Sequence, residues 1–259
     1  MYVRNLATAL LLCASRAIAQ TPDDSDPDTD NRLEVTYGNT PINPGTEYPQ
    51  PLTLQQPRVN TRQAAPGPYM LVMLDLSLPR DRVGPGEVAD GIGDDRTTRL
   101  HWLQTNLTVG VQGVLTTSGT PAVADYAPPQ PPQGDIPHIY TWYLFTQPAS
   151  FQVPAAIAGG QLRSPSVAQR NNFSLSPITG QAGVELREAN FFLVQNPNNT
   201  NAVRTAPGFT PNATAPTAPA GTASGTGVRP PVASFTGAAS KLVAALPAVG
   251  AGAFAMLLL

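Results

Sequence analysis

The sequence holds two histidines, and each stands in a short apolar and aromatic phrase, Leu100-His101-Trp102 and His138-Ile139-Tyr140. All imidazole chemistry therefore runs through this pair. A third apolar run, Tyr69-Met70-Leu71-Val72-Met73-Leu74, ends on a lone carboxylate, Asp75, able to meet them. Three readings of the trio follow from residue type. The imidazoles can cradle an oxyanion by donating N–H groups and, once protonated, positive charge, with Asp75 fixing a tautomer and raising one histidine's pKa. The site is then a shallow pocket edged by Trp102, Tyr126, Pro131, Pro132 and Tyr140. Alternatively, both histidines are satisfied core or edge residues, or two imidazoles and one carboxylate ligate a metal.

The elements that must position these side chains are strands. Residues 69–76, 100–107 and 138–147 are rich in aromatic and β-branched side chains and bounded by Pro, Gly or Asp, which is a strand pattern. Residues 33–37 and 191–194 are shorter candidates. Ser176-Pro177 suits a helix start, with Ser176 as N-cap and Pro177 at the first helical position. Little else is helical, so the fold is expected to be one mainly β domain. Proline-dense loops run between its strands and are common sites of function.

Composition excludes several chemistries. The formal net charge is −2, which gives no electrostatic footprint for nucleic acid. Cys13 is the only cysteine and Lys241 the only lysine; both fall in segments expected to be removed, leaving neither a thiol nucleophile nor a Schiff-base lysine. The run Asp23, Asp24, Asp26, Asp28, Asp30 has the alternate spacing of half a calcium loop. It lacks the glycine and closing glutamate of such a loop and contains Pro27, so it reads as a solvated acidic leader. No Gly-x-Ser-x-Gly elbow, phosphate-binding loop, zinc-protease motif or dinucleotide fingerprint is present. Neither a cofactor nor a metal is expected.

The ends of the chain carry addressing signals. Arg4, an apolar stretch from Leu6 to Ala14, and Ala17-Ile18-Ala19 before Gln20 form a secretory signal over residues 1–19. Residues 20–32 are the acidic leader, 33–196 the folded domain, and 197–240 a stalk rich in Thr, Pro, Ala and Gly with too few large apolar side chains to order itself. Residues 241–259 are apolar to the end and read as the removable tail of a glycosylphosphatidylinositol signal. Gly237 or Ala238 is the expected attachment residue, with Ser224 or Gly225 as a longer-spaced alternative. Sequons begin at Asn106, Asn172, Asn198 and Asn212, in keeping with a secreted glycoprotein. The expected location is the cell surface, on the plasma membrane or in a cell wall, of a fungal kind.

Tyr69 to Asp75 continuing through Ser77, Pro79 and Arg80, then Leu100-His101-Trp102 to Asn106, then Tyr126 through Pro131, Pro132 and Gly134 to His138-Ile139-Tyr140, resemble the phosphatidylethanolamine-binding protein family in order and spacing. Ala189-Asn190-Phe191-Phe192-Leu193-Val194 looks like its closing strand. The resemblance covers about residues 30–196. It implies a β-sandwich-like fold with a central antiparallel sheet, a few peripheral helices, and a pocket for phosphate-like anions and phospholipid head groups. Asp75, His101 and His138 match its acidic and histidine residues, Pro79 the proline of its first motif, and Pro131, Pro132 and Tyr140 its rim. Two positions depart: Ser77 stands where the family has a second acid, and Ile139 where it has an arginine. Losing both members of a coupled pair together avoids a lone buried charge, and predicts a pocket with a more neutral wall.

The leading expectation is a non-enzymatic surface module that binds an anionic head group through His101 and His138 N–H groups. The alternatives are an inhibitor of a serine carboxypeptidase or another protease, or a signalling regulator; a structural wall glycoprotein with a vestigial pocket; and a hydrolase in which Ser77 near Asp75 and a histidine acts as nucleophile.

Overall fold

A computed structural model of the chain describes residues 19–62, 67–83, 89, 91–166 and 168–199. The expected stalk, tail and attachment residues, Asn212, and nearly all of the expected signal segment lie outside the described residues.

Among the described residues nine strands form two sheets: β1 (Glu34–Tyr37), β2 (Thr40–Pro41), β3 (Thr46–Pro49), β4 (Arg58–Asn60), β5 (Tyr69–Pro79), β6 (Arg96–Val109), β7 (Leu115–Thr117), β8 (His138–Thr146) and β9 (Leu186–Gln195). The small sheet runs β2-β1-β4 and the large one β3-β9-β8-β5-β6-β7. Within the large sheet β9, β8, β5, β6 and β7 pair antiparallel. The short edge strand β3 joins β9 in parallel, so the expected antiparallel sheet is mixed at one edge. The mainly β expectation holds.

The strand β5 is central and buried on both faces, which is why its sequence is a near-continuous apolar run. Its alternate side chains serve two cores. Met70, Val72, Leu74 and Leu76 pack with Leu100, Ile139, Tyr143 and Phe191 beneath a cover of loop residues including Phe151, Leu162 and Phe173. Leu71 and Met73 pack with Trp102, Tyr140, Trp142 and Phe192 against Val35, Tyr37 and Val59 of the small sheet. Each such apolar side chain contributes about 1.5–3 kcal/mol by leaving water.

The helix α1 (Ser176–Thr179) begins one residue earlier than expected. Ser176 caps nothing, because Leu175 occupies the N-cap position and the Ser176 amide donates to the Ser174 hydroxyl. Each aspartate of the acidic run is exposed, while the neighbouring Gln20 and Thr21 are buried. The described residues contain no grouping of acidic, histidine or cysteine side chains able to hold a metal ion.

Candidate functional site

The site forms where β5 and β6 stop pairing regularly. Met73 faces Trp102 but Leu74 faces Leu100, leaving His101 as an extra residue in β6. Such a bulge turns a side chain out of strict alternation, and His101 thereby joins Trp102 on the small-sheet face. Its ring meets Tyr140 edge-on, with centroids 5.1 Å apart. A second irregularity lies between Asp75 and Leu78. There Asp75 turns its carboxylate back to accept the Ser77 amide at 2.8 Å. From β8, His138 and Tyr140 project to the same face by their spacing of two.

A cleft of about 330 Å³ opens at this point, lined by residues that include Asp75, Arg82, Arg99, His101, Gln130, Pro132, His138, Tyr140 and Asn171. Four of the expected residues, Asp75, His101, His138 and Tyr140, therefore come together, with Pro132 beside them. Pro79, Trp102, Tyr126 and Pro131 do not line it. Tyr126 donates its hydroxyl to the Thr53 carbonyl and stacks on Trp142; it is held in the aromatic core, as Trp102 is. Pro131 is buried beside the cleft, and Pro79 only ends β5.

The polar groups close into a ring. His138 lies between two carboxylates, with Nδ1 2.7 Å from Asp75 Oδ2 and Nε2 3.1 Å from Asp135 Oδ2. Asp135 also takes a two-pronged bond from Arg96 at 2.8 and 2.9 Å. Arg96 then donates to the Ser77 carbonyl, and Ser77 NH donates to Asp75, completing the circuit. Burial pushes the His138 pKa down, but the two carboxylates hold it up at about 9. Burial pushes Asp75 up, yet the His138 imidazolium holds it below its ordinary value. Asp135 is likewise held well below its ordinary value by His138 and Arg96 against the effect of burial. The ring is thus two carboxylates against two cations.

The expected neutral wall is neutral by cancellation of charges and not by their absence. Ile139 turns its side chain into the opposite core, and its amide donates to Ser77 Oγ at 3.0 Å. The pair missing from positions 77 and 139 is supplied instead by Asp135 and Arg96, which the sequence reading overlooked. Asp135 carried a faint signal, standing three residues before His138.

His101 differs from His138. Its Nδ1 lies 2.8 Å from the Ala127 carbonyl, which only accepts, so Nδ1 carries the proton. Burial lowers its pKa to about 4, and Arg99 and Arg170 push the same way. The ring is neutral at pH 7 and its Nε2 has no partner. Arg170, fully buried, clips the surrounding loops by donating to the carbonyls of Leu100, His101, Asp125, Leu162 and Arg163.

Arg99 is the other residue missed. It pairs with Asp75 across the ladder, one strand position before the bulge. Its guanidinium donates to Asn171 Oδ1 and the Pro165 carbonyl, both uncharged acceptors. The ring being neutral in sum, Arg99 gives the cleft a net positive charge, while the exposed Arg82 is paired with Asp81. Two of the sequon asparagines sit at positive φ with their amides engaged, Asn106 with Gln147 and Asn172 with Ala89 and Thr97; Asn198 is exposed.

The family model for phosphatidylethanolamine-binding proteins matches residues 24–183. The chain belongs to the phosphatidylethanolamine-binding protein family. The match takes in most of the acidic run and stops short of β9. Among curated proteins, the phomoidride biosynthesis cluster protein N of Talaromyces stipitatus is 25% identical over 201 residues, covering 71% of this chain and 93% of the relative. Similar solved structures include a carboxypeptidase Y inhibitor in complex with its cognate proteinase, at 19% identity and TM-score 0.44, covering 64% of this chain and 83% of that one. A phosphatidylethanolamine-binding protein from Plasmodium vivax is 16% identical with TM-score 0.46, covering 66% and 90%. Membership in the phosphatidylethanolamine-binding protein family supports a binding or inhibitory role for the chain.

Proposed function

We propose that the chain is a non-enzymatic binding module whose cleft takes a small phosphate-like anion, free or as a phospholipid head group. The observation that carries this is Arg99, a guanidinium on the cleft wall whose hydrogen-bond acceptors, Asn171 Oδ1 and the Pro165 carbonyl, are neutral, beside a ring of charges that cancel. A positive, partly enclosed cleft of this kind favours an anion and offers it the fork geometry of arginine. The two histidines do not act as the expected pair of donors. Both nitrogens of His138 are bound to carboxylates, and the N–H of His101 is given to Ala127. Their role is to shape and neutralise the wall while arginine supplies the charge. Ser77 does not suit a nucleophile, because its Oγ is buried and accepts the Ile139 amide. The expected secretory and anchoring segments support a surface-tethered module.

Calorimetric titration of the purified protein with inorganic phosphate and phosphoethanolamine tests this. Binding is expected below about 10 mM, weakened about tenfold or more in Arg99→Gln. Absence of binding by the wild type in that range, or an unchanged affinity in the variant, refutes it.

A further inference from the structure

We infer that the cleft selects an oxyanion that itself carries a hydrogen-bond donor, such as a phosphate bearing a P–OH group, over fully ionised oxyanions of the same shape. This rests on the anion-binding reading above and narrows it: a phosphodiester head group has no P–OH, so it fits only where it brings a donor elsewhere, as the ammonium of phosphoethanolamine does. The ring N–H groups of both histidines are already committed. His138 has two ring nitrogens, and each faces a carboxylate. His101 has one proton to give in its neutral form, and the Ala127 carbonyl holds it, fixed by the reciprocal bond from the Ala127 amide to the His101 carbonyl at 2.7 Å. What the histidine side of the cleft has left is a lone pair, His101 Nε2, buried and without a partner.

The groups around that ring resist its protonation. Arg170 donates to the His101 carbonyl at 3.1 Å, and Arg99 stands two residues away. Asp75 and the Ala127 carbonyl favour protonation, but His138 pairs with Asp75 and burial of the ring outweighs them. Tyr140 packs edge-on against the ring. The lining of the cleft therefore combines a neutral ring acceptor with a guanidinium. A phosphate with one P–OH satisfies both, giving its proton to Nε2 and taking bonds from Arg99 on its remaining oxygens. Sulfate has only lone pairs to offer, and a buried acceptor left against another acceptor is the costly arrangement.

Three probes decide the matter in the full, unaltered protein. Inorganic phosphate keeps a P–OH from pH 5 to 8, methyl phosphate loses its own above about pH 6, and sulfate has none throughout. Phosphate is expected to bind at least about tenfold more tightly than sulfate at pH 7. Methyl phosphate is expected to match phosphate at pH 5 and fall about tenfold behind it at pH 8. Equal binding of sulfate and phosphate, or a methyl phosphate affinity that does not change relative to phosphate, overturns the selection and leaves the anion reading standing. Failure of phosphate itself to bind overturns both.

Discussion

Two histidines with opposite shifts predict a stability maximum with a separate cause on each side. His138 is raised from 6.5 to about 9 and His101 lowered from 6.5 to about 4. Between pH 6.5 and 9 the native state holds a proton on His138 that the unfolded chain has lost, so stability falls as pH rises. His138's contribution is complete below about pH 6.5 and gone above about pH 9. Between pH 6.5 and 4 the unfolded chain protonates His101 and the native state does not, so stability falls as pH drops. At about 1.4 kcal/mol per unit, each arm is worth about 3 kcal/mol at its full extent. With two histidines in the sequence, proton NMR of the ring Cε1–H groups reads each titration directly, and denaturant midpoints from pH 4 to 9.5 read the energetics. The decisive perturbation is Asp135→Asn, which removes one of the two carboxylates bound to His138. The His138 midpoint should drop by about one unit or more and the alkaline arm shrink by about 1.4 kcal/mol or more, with the His101 arm unchanged. If His138 titrates near 6.5 in the wild type, or the alkaline arm survives undiminished in Asp135→Asn, the ring of charges is not the source of the effect.

Arg170→Met should lower stability by about 3 kcal/mol or more by denaturant titration, since several buried carbonyls lose their donor together. Arg170→Lys should recover little of this, because an ammonium cannot reproduce the planar fork. Ser77→Ala should cost about 1–3 kcal/mol by leaving the buried Ile139 amide without an acceptor, seen also as faster amide exchange at Ile139. Gly113→Ala should cost about 1–3 kcal/mol in the same titration. Gly113 has φ of 76°, and an added Cβ would stand 2.3 Å from the Thr61 carbonyl oxygen.

The long apolar strands were legible because burial on both faces imposes a run such as residues 69–74, which few other structures tolerate in a soluble domain. The meeting of Asp75, His101 and His138 was legible from the motifs around them. What each does was not. His101 and His138 stand in similar phrases, yet one is pinned by a loop carbonyl and neutral while the other is clasped by two carboxylates and charged. That difference comes from Ala127 and Asp135, loop residues brought in by tertiary closure, which no local pattern specifies. The bulge that turns His101 toward the cleft has no glycine to announce it either. Reading charge by position also misled at Ser77 and Ile139. Asp135 reaches His138 from three residues upstream, and Arg96 reaches Asp135 from the end of β6. Ser77 completes the circuit with its backbone alone, its amide binding Asp75 and its carbonyl binding Arg96. The uncharged residues at 77 and 139 therefore do not leave His138 without charged neighbours. Arg99, set off by a neutral ring, is the group on which the remaining chemistry of the cleft depends.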